Sequence, residues 1–128
     1  MIDWSKIKYF KQEEFLKPEC LRPGMIELLD KLRGRCMFSL IVTSSYRSEE
    51  HNKAVGGASN SSHLIAPDGY YSGIDFTGPG GIMGSSQLFT VVHEALLLGF
   101  NRIGLYKDMR HVHLDIEQRL DQDVLWID

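Results

Sequence analysis

Apolar residues recur at helical spacing in two stretches of the chain. The first stretch predicts a helix that ends at Gly34, and the second predicts a helix capped by Ser86 that ends at Gly99. The periodic positions are Met25, Leu28, Leu29 and Leu32 in the first stretch and Leu88, Val91, Val92, Ala95 and Leu96 in the second. Ser48 is a favourable N-cap, so a shorter third helix is predicted over residues 49–55.

Four other segments have the apolar and β-branched composition of strands. They are residues 37–44, 74–77, 102–106 and 111–116. A turn at residues 107–110 joins the last two, which therefore predict a hairpin. Helices precede and separate these strands without a regular alternation, and no linker or repeat divides the chain. The pattern therefore predicts a single domain of the α+β class over residues 1–128.

The last of these strands has an unusual polar face. His111, His113 and Asp115 alternate with apolar residues, so the three polar side chains are expected on one side of the strand. The simplest interpretation is a half-buried strand with a solvated outer face. Two histidines on one face exceed what that interpretation needs, and histidine is the commonest metal ligand. A metal-binding or catalytic role is therefore the competing interpretation.

A second group of polar residues comes earlier in the chain. His63 lies in a predicted loop, and Asp75 lies in a short predicted strand. Combined with a histidine of the last strand, they would supply two nitrogens and one oxygen. Three protein ligands leave a fourth position open, as in catalytic zinc sites. From their spacing alone, the better explanation of His63 is a polar loop residue and that of Asp75 a turn or cap residue.

Charge and composition narrow the function classes. The chain is 43% hydrophobic and 24% charged, as is usual for a globular domain. Its net charge of −3 lies in the acidic tail, residues 117–128, which leaves a neutral body that does not favour nucleic-acid binding. The apolar runs are too short to span a membrane. No secretory signal is evident, so we expect synthesis in the cytoplasm, with Cys20 and Cys36 reduced.

The stretch 44–63 reads Ser-Ser-Tyr-Arg-Ser-Glu-Glu-His-Asn-Lys-Ala-Val-Gly-Gly-Ala-Ser-Asn-Ser-Ser-His. It resembles peptidase family M15, the zinc D-Ala-D-Ala carboxypeptidases and L-alanyl-D-glutamate endopeptidases, and most of all the small single-domain branch of phages and prophages. Gly-Ile-Asp-Phe at 73–76 and the His-x-His-x-Asp strand follow in the family's order. The resemblance covers about residues 8–116. It implies a hedgehog/D-Ala-D-Ala peptidase-like fold, for which we expect an antiparallel sheet with helices packed on one face.

The resemblance also implies roles for individual residues. His63, Asp75 and His113 match the three zinc ligands of the family. Arg47 matches the arginine that holds a substrate carboxylate, and Ser62 matches a motif serine that can hydrogen-bond the substrate. His111 matches the first histidine of the His-x-His pair, which would help to stabilise the oxyanion.

Two departures from the family pattern affect these expectations. Eleven residues separate His63 from Asp75, more than is usual, and we expect the extra residues, within 65–72, to form a loop at the rim of the site. Asp68 in this loop is a rival ligand, although Asp75 fits the motif better. Several branches of the family carry an acidic general base where this chain has Arg110. Asp108 is then the candidate base, with Asp115 as its competitor.

The function implied is that of a peptidase with one Zn²⁺ per chain. It would cleave bonds involving D-amino acids in peptidoglycan stem peptides, as a carboxypeptidase or an endopeptidase. Peptidoglycan peptides are the expected binding partners, and neither nucleic acid nor membrane is expected to bind. The protein is expected to be a monomer. Phage release or another export route would bring it to the cell wall. One alternative is a catalytically inactive zinc-containing binding module of the same fold, such as a phage structural component. Another is a structural domain without metal.

Overall fold

The computed structural model describes residues 1–128 and contains three α-helices and five strands. The helices are α1 (Pro23–Cys36), α2 (Glu49–Ala54) and α3 (Ser85–Leu97). The strands are β1 (Ile41–Ser44), β2 (Ile74–Thr77), β3 (Arg102–Leu105), β4 (Val112–Leu114) and β5 (Val124–Ile127). Single 3-10 turns lie at Trp4–Lys6, Gln12–Glu14, Pro18–Cys20 and Pro79–Gly81. The α+β class is confirmed, and none of the helices has the length and apolar character needed to cross a bilayer.

All five strands belong to one sheet, in the order β1-β2-β4-β3-β5. The predicted hairpin of β3 and β4 is present, and the first four strands pair antiparallel. The fifth strand pairs parallel to β3, so the sheet is antiparallel over its first four strands and mixed as a whole. Both edges of β4 are already taken by β2 and β3, and β5 joins the free edge of β3 instead. The acidic tail therefore ends in a strand that completes the sheet.

The two faces of the sheet differ in chemistry because side chains alternate along each strand. Ile74 and Phe76 of β2, with Val112 and Leu114 of β4, belong to the main hydrophobic core. Buried apolar residues of α1 and α3 belong to the same core, so these two helices cover one face of the sheet, as expected. Asp75 lies between Ile74 and Phe76, and His113 lies between Val112 and Leu114. The side chains of Asp75 and His113 therefore point to the opposite face of the sheet, which carries the candidate site.

Helix α1 passes the glycine that was predicted to end it. The helix continues to Cys36, which is buried in the core, and it ends where Met37 adopts a left-handed conformation with φ of 60°. A side-chain carbon at Gly34 would lie 3.2 Å from the ring of Tyr9, so this glycine permits close packing instead. Because Met37 ends the helix, the first strand begins only at Ile41, later than predicted.

The other two helices follow the sequence closely at their N-termini. The Ser48 hydroxyl accepts the backbone N–H of His51 at 3.0 Å, which confirms the predicted cap of α2. Helix α3 begins one residue before the predicted cap, Ser86. Its N-cap is Gly84, whose backbone N–H donates to the side chain of Gln87 at 2.9 Å.

Candidate metal centre and the cleft around it

The three predicted metal ligands converge on the polar face of the sheet. One possible ligand atom from each of His63, Asp75 and His113 lies within 4.8 Å of the others, and all three residues are buried. Asp75 and His113 are direct partners in the antiparallel pairing of β2 with β4, which places their side chains on the same face. His63 comes from the loop between α2 and β2, so the cluster joins residues that are far apart in sequence.

Close backbone packing brings His63 to the sheet. A side-chain carbon at Gly73 would lie only 2.6 Å from the hydroxyl oxygen of Ser62 and 2.9 Å from the backbone nitrogen of His63. The backbone N–H of Gly73 donates to the carbonyl of Ser62 at 2.8 Å. Glycine just before β2 therefore lets the loop that carries His63 lie directly against the strand that carries Asp75.

The ring of His63 presents one free nitrogen to the cluster. Its Nδ1 lies 2.6 Å from the backbone carbonyl of Ser45, which can only accept, so Nδ1 carries the hydrogen. Its Nε2 is buried and has no hydrogen-bond partner, although it lies 3.3 Å from Oδ1 of Asp75. A buried polar atom without a partner is costly unless something else satisfies it. A metal ion between these atoms would do so.

Asp75 uses its two carboxylate oxygens differently. Oδ1 faces both histidines and lies 2.8 Å from Nδ1 of His113. Oδ2 accepts hydrogen bonds from the Tyr106 hydroxyl at 2.9 Å and from the Arg47 guanidinium at 3.3 Å. Burial by itself raises the pKa of the Asp75 carboxyl, but the adjacent imidazoles of His113 and His63 outweigh it and lower that pKa. Tyr106 and Arg47 thus hold the carboxylate in place through Oδ2, and Oδ1 is left in a position to bind a metal ion.

His113 lies between two carboxylates. Its Nε2 is 2.7 Å from Oδ2 of Asp115, on the side away from Asp75. Burial lowers the pKa of His113, but hydrogen bonds with Asp115 and Asp75 outweigh it and raise the pKa to about 9. Asp115 is fully buried, and its other partners are Arg102, Ser62 and a backbone N–H. Asp115, the competing candidate for the general base, therefore lies behind His113, on the side away from Asp75.

The donor set fits a divalent metal, and zinc in particular. It offers two imidazole nitrogens and one carboxylate oxygen, a combination found in catalytic zinc sites with three protein ligands. The cluster contains no cysteine. The orphaned Nε2 of His63 and the secured carboxylate of Asp75 are both consistent with an ion between them.

A cleft of about 600 Å³ opens beside this cluster. His63 and His113 line it together with Arg47, Ser62 and Tyr106. The Arg47 guanidinium is largely buried, because it contacts both Asp75 and the side chain of Asn52. An arginine at this position can bind a carboxylate in the cleft through its remaining N–H groups.

A family model described as peptidase M15 matches residues 8–115 of the chain, which is most of its length. The chain belongs to the peptidase M15 family. A search of curated proteins found no match. Family membership identifies the protein as a peptidase and agrees with the fold observed here.

Ser62 occupies an unexpected position in this M15 peptidase. Its hydroxyl is buried, donates to Oδ2 of Asp115 at 2.9 Å, and lies 3.2 Å from Nε2 of His113. The residue lines the cleft, but its hydroxyl hydrogen is already donated to Asp115. Its predicted contact with substrate stays a prediction.

The two predicted catalytic residues form a pair on the turn between β3 and β4. Nδ1 of His111 lies 3.0 Å from Oδ2 of Asp108, whose side chain is 47% exposed. Neither residue lines the cleft itself. The ring of His111 packs edge-on against Tyr106, 5.8 Å away between ring centres, and Tyr106 does line the cleft. Tyr106 therefore lies between this pair and the His63–Asp75–His113 cluster. The catalytic roles of Asp108 and His111 stay predictions.

The extra loop lies away from the cleft. Asp68 forms a bidentate ion pair with Arg22, at 2.7 and 3.0 Å, and is therefore not a metal ligand in this structure. Tyr71 is fully buried, and its backbone pairs with that of Cys20 and Arg22. No residue of 65–72 lines the cleft, so the expectation of a loop at its rim is wrong. The loop is fixed to the N-terminal segment by these contacts.

Three further residues of the site were not predicted from the sequence. Tyr106 binds Asp75, Arg102 binds Asp115, and Trp126 lies against His113 with 5.4 Å between ring centres. Trp126 lies beyond the part of the chain that the family model matches. Gly104 was the available signal, because a side-chain carbon there would lie 2.7 Å from the indole.

Proposed function

We propose that this M15 peptidase is zinc-dependent and hydrolyses peptide bonds involving D-amino acids in peptidoglycan stem peptides. The observation that carries the proposal is the buried cluster of His63, Asp75 and His113, in which Nε2 of His63 has no other partner. The cluster borders a cleft with an arginine at its wall, and the family supplies the peptidase activity.

The residues that would hold the metal are already oriented toward one another. Nε2 of His63, Oδ1 of Asp75 and Nδ1 of His113 are the facing atoms. Zinc bound by these three ligands would supply a Lewis acid that polarises the scissile carbonyl and activates water. The Tyr106 hydroxyl holds the second oxygen of Asp75, and burial together with the Asp75 carboxylate raises the pKa of Tyr106, so the phenol remains a donor.

Arg47 is the residue that would position the substrate. Its bonds to Asp75 and Asn52 fix the guanidinium beside the cluster, and its backbone N–H donates to the carbonyl of His63 at 3.0 Å. A substrate carboxylate bound to the free N–H groups would fix which peptide bond lies at the metal. We therefore expect Arg47→Lys to raise KM more than it lowers kcat.

Asp108 is the proposed proton acceptor, and His111 the group that would stabilise the oxyanion. Asp115 cannot take the first role easily, because it is fully buried and accepts four hydrogen bonds. Asp108 is accessible and is held by His111 and by the backbone N–H of Arg110 at 2.8 Å. Asp108→Asn tests the assignment. We expect it to reduce kcat by roughly 10²-fold or more while zinc affinity stays unchanged.

Digestion of purified peptidoglycan, followed by mass spectrometry of the products, tests the function. Wild-type protein and His113→Ala are compared, with zinc content measured on the same samples. We expect cleavage by the wild type only, and the product masses distinguish release of terminal D-Ala from cleavage between L-Ala and D-Glu. Asp68→Asn, which breaks an ion pair far from the cluster, is the control and should cleave normally.

A zinc-containing binding module without turnover is the second candidate. It is favoured by Arg110, which stands where several branches of the family have an acidic base, and by the position of Asp108 outside the cleft lining. Wild-type protein that binds one zinc and muropeptides but cleaves nothing would support it. In that case Arg110→Glu should introduce measurable hydrolysis, whereas in an active enzyme it should not be required.

A further inference from the structure

The imidazole of His113 has a carboxylate at each ring nitrogen. Nδ1 lies 2.8 Å from Oδ1 of Asp75, and Nε2 lies 2.7 Å from Oδ2 of Asp115. The two carboxylates favour a proton on each ring nitrogen, and a metal ion would displace one of them, because a histidine ligand must be neutral. The ring then carries one N–H, and only its other nitrogen has a lone pair for the metal. The position of that hydrogen therefore decides whether His113 can bind an ion beside Asp75.

Asp115 is surrounded by donors. Its Oδ1 accepts Nε of Arg102 at 2.7 Å and the backbone N–H of Glu117 at 3.0 Å, and its Oδ2 accepts the Ser62 hydroxyl at 2.9 Å. The residue has no exposed surface. A carboxylate to which three other groups donate is an acceptor toward His113 as well. Asp75 accepts hydrogen bonds too, but a metal ion beside its Oδ1 would exclude a proton from Nδ1, so with the ion bound the hydrogen of the ring would be on Nε2.

Arg102 is itself fixed from several directions. It lies on β3, and a terminal nitrogen of its guanidinium donates to the backbone carbonyl of Asp121. The indole of Trp126 packs on the guanidinium, 5.3 Å from ring centre to carbon. Arg102 therefore connects the segment after β4, the last strand and Asp115, and it has little freedom to release the carboxylate.

We propose that Arg102 and Asp115 are positioning residues that fix the tautomer of His113. Asp115 accepts the Nε2 hydrogen, Arg102 holds Asp115, and the lone pair of Nδ1 is directed to the metal position beside Asp75. The carbonyl of Ser45 does the same for His63 from the other nitrogen. Both histidines thus enter the cluster with their hydrogens already placed. The inference rests on the metal-binding part of the proposed function and does not depend on cleavage.

Nuclear magnetic resonance of the histidine rings tests the tautomers directly. Nitrogen–proton correlation spectra of zinc-loaded, nitrogen-15-labelled wild type are expected to show an Nε2–H ring for His113 and an Nδ1–H ring for His63. An Nδ1–H ring for His113 in this protein would overturn the proposal. This measurement needs no variant and so does not depend on the folding of any substitution.

Zinc affinity tests the contribution of the pair. Asp115→Asn keeps the shape of the side chain but removes its charge, and we expect zinc affinity to fall about 10–100-fold in competition with a chromophoric chelator. Arg102→Lys keeps the positive charge but loses Nε, and we expect a smaller loss in the same direction. Asp68→Asn removes the surface partner of Arg22 and is the matched control, with unchanged affinity expected.

The outcomes separate this inference from the proposed function. If Asp115→Asn and Arg102→Lys both bind zinc as tightly as the wild type, Arg102 and Asp115 are not positioning residues. If Asp115→Asn fails to fold, the Arg102→Lys affinity and the wild-type spectra still decide the matter. Wild-type protein that binds zinc with the expected tautomers but cleaves no peptide overturns the peptidase proposal alone. Wild-type protein that binds no divalent ion overturns both.

Discussion

The two faces of the central strands show two different uses of burial. On one face, Ile74, Phe76, Val112 and Leu114 pack into the apolar core under α1 and α3. On the other face, Asp75 and His113 are also almost completely buried, but each of their polar atoms has a specific partner. Both sets come from the same short strands, since neighbouring residues point to opposite sides.

The difference teaches what each face requires of the sequence. Apolar packing depends on volume, and related side chains can replace one another with modest cost. A buried polar group depends on a partner at hydrogen-bonding distance, and the loss of one partner leaves another group unsatisfied. Substitutions on the core face should therefore reduce stability, and substitutions on the polar face should first reduce metal binding.

Asp75→Asn should have the largest effect on function. It replaces the anionic oxygen of a proposed ligand with a weakly coordinating amide, so zinc affinity should fall by more than about 100-fold. This exceeds the roughly 10–100-fold expected for residues that only orient the ligands. Cleavage should be lost with it. Measurement of zinc content after dialysis, with Asp68→Asn alongside, checks this expectation. A variant that retains one tightly bound zinc would show that Asp75 is not a ligand.

Phe76→Ala, one residue away on the opposite face, should have the largest effect on stability. The side chain is completely buried, and its truncation should lower the free energy of unfolding by about 3–5 kcal/mol. Urea unfolding of the metal-free protein measures this change. Phe89→Ala on α3 is the matched control, because Phe89 is 70% exposed, and it should change stability by less than about 0.5 kcal/mol. Equal losses in the two variants would contradict this assignment of the core face.

The sequence predicts the apolar face well, and it names the three candidate ligands that the structure brings together. Helical spacing places α1 and α3, and alternation places the strands that carry Asp75 and His113. The resemblance to family M15 adds His63, which no local pattern could connect to that sheet. These parts are local or carried by a motif, and they can therefore be read from one chain.

Other parts of the site depend on how distant segments pack together, and they could not be predicted from the sequence. The pairing of β5 with β3 decides that Trp126 lies beside His113, and nothing in the acidic tail indicates which strand it joins. The role of Arg102 depends on Asp115 being its partner across the hairpin. The extra loop contacts Arg22 through a residue that the spacing offered as a rival ligand, Asp68.

Removal of the metal should destabilise the polar face without unfolding the core. At a free zinc concentration 100 times the Kd, binding stabilises the native state by about 2.7 kcal/mol. For a domain of this length, a chelator should then lower Tm by roughly 10 °C. Differential scanning calorimetry measures the shift, and His113→Ala should show almost none. A chelator shift of equal size in that variant would place the stabilising ion elsewhere.

Gly104, beside the candidate site, and Gly24, in α1, provide the comparison with the smallest expected effects. Alanine at these two positions should change stability in opposite directions. A side-chain carbon at Gly104 would lie 2.7 to 2.9 Å from three atoms of the Trp126 indole, so Gly104→Ala must displace the ring that covers His113. We expect Gly104→Ala to lower the free energy of unfolding by about 1–3 kcal/mol. At Gly24 in α1, the nearest atom would be Cδ1 of Ile116 at 3.5 Å, an ordinary contact. Gly24→Ala should therefore stabilise by about 0.4–1 kcal/mol, because it restricts the unfolded chain.

Fluorescence adds a local readout to this pair. The chain contains two tryptophans, so in a Trp4→Phe background the emission reports on Trp126 alone. Gly104→Ala should alter that emission and its response to zinc, because the indole would no longer lie against His113, whereas Gly24→Ala should leave both unchanged. If the two alanine variants gave the same stability change and the same emission, Trp126 would not be held by its contact with Gly104. The last strand would then contribute to the sheet but not to the wall of the metal centre.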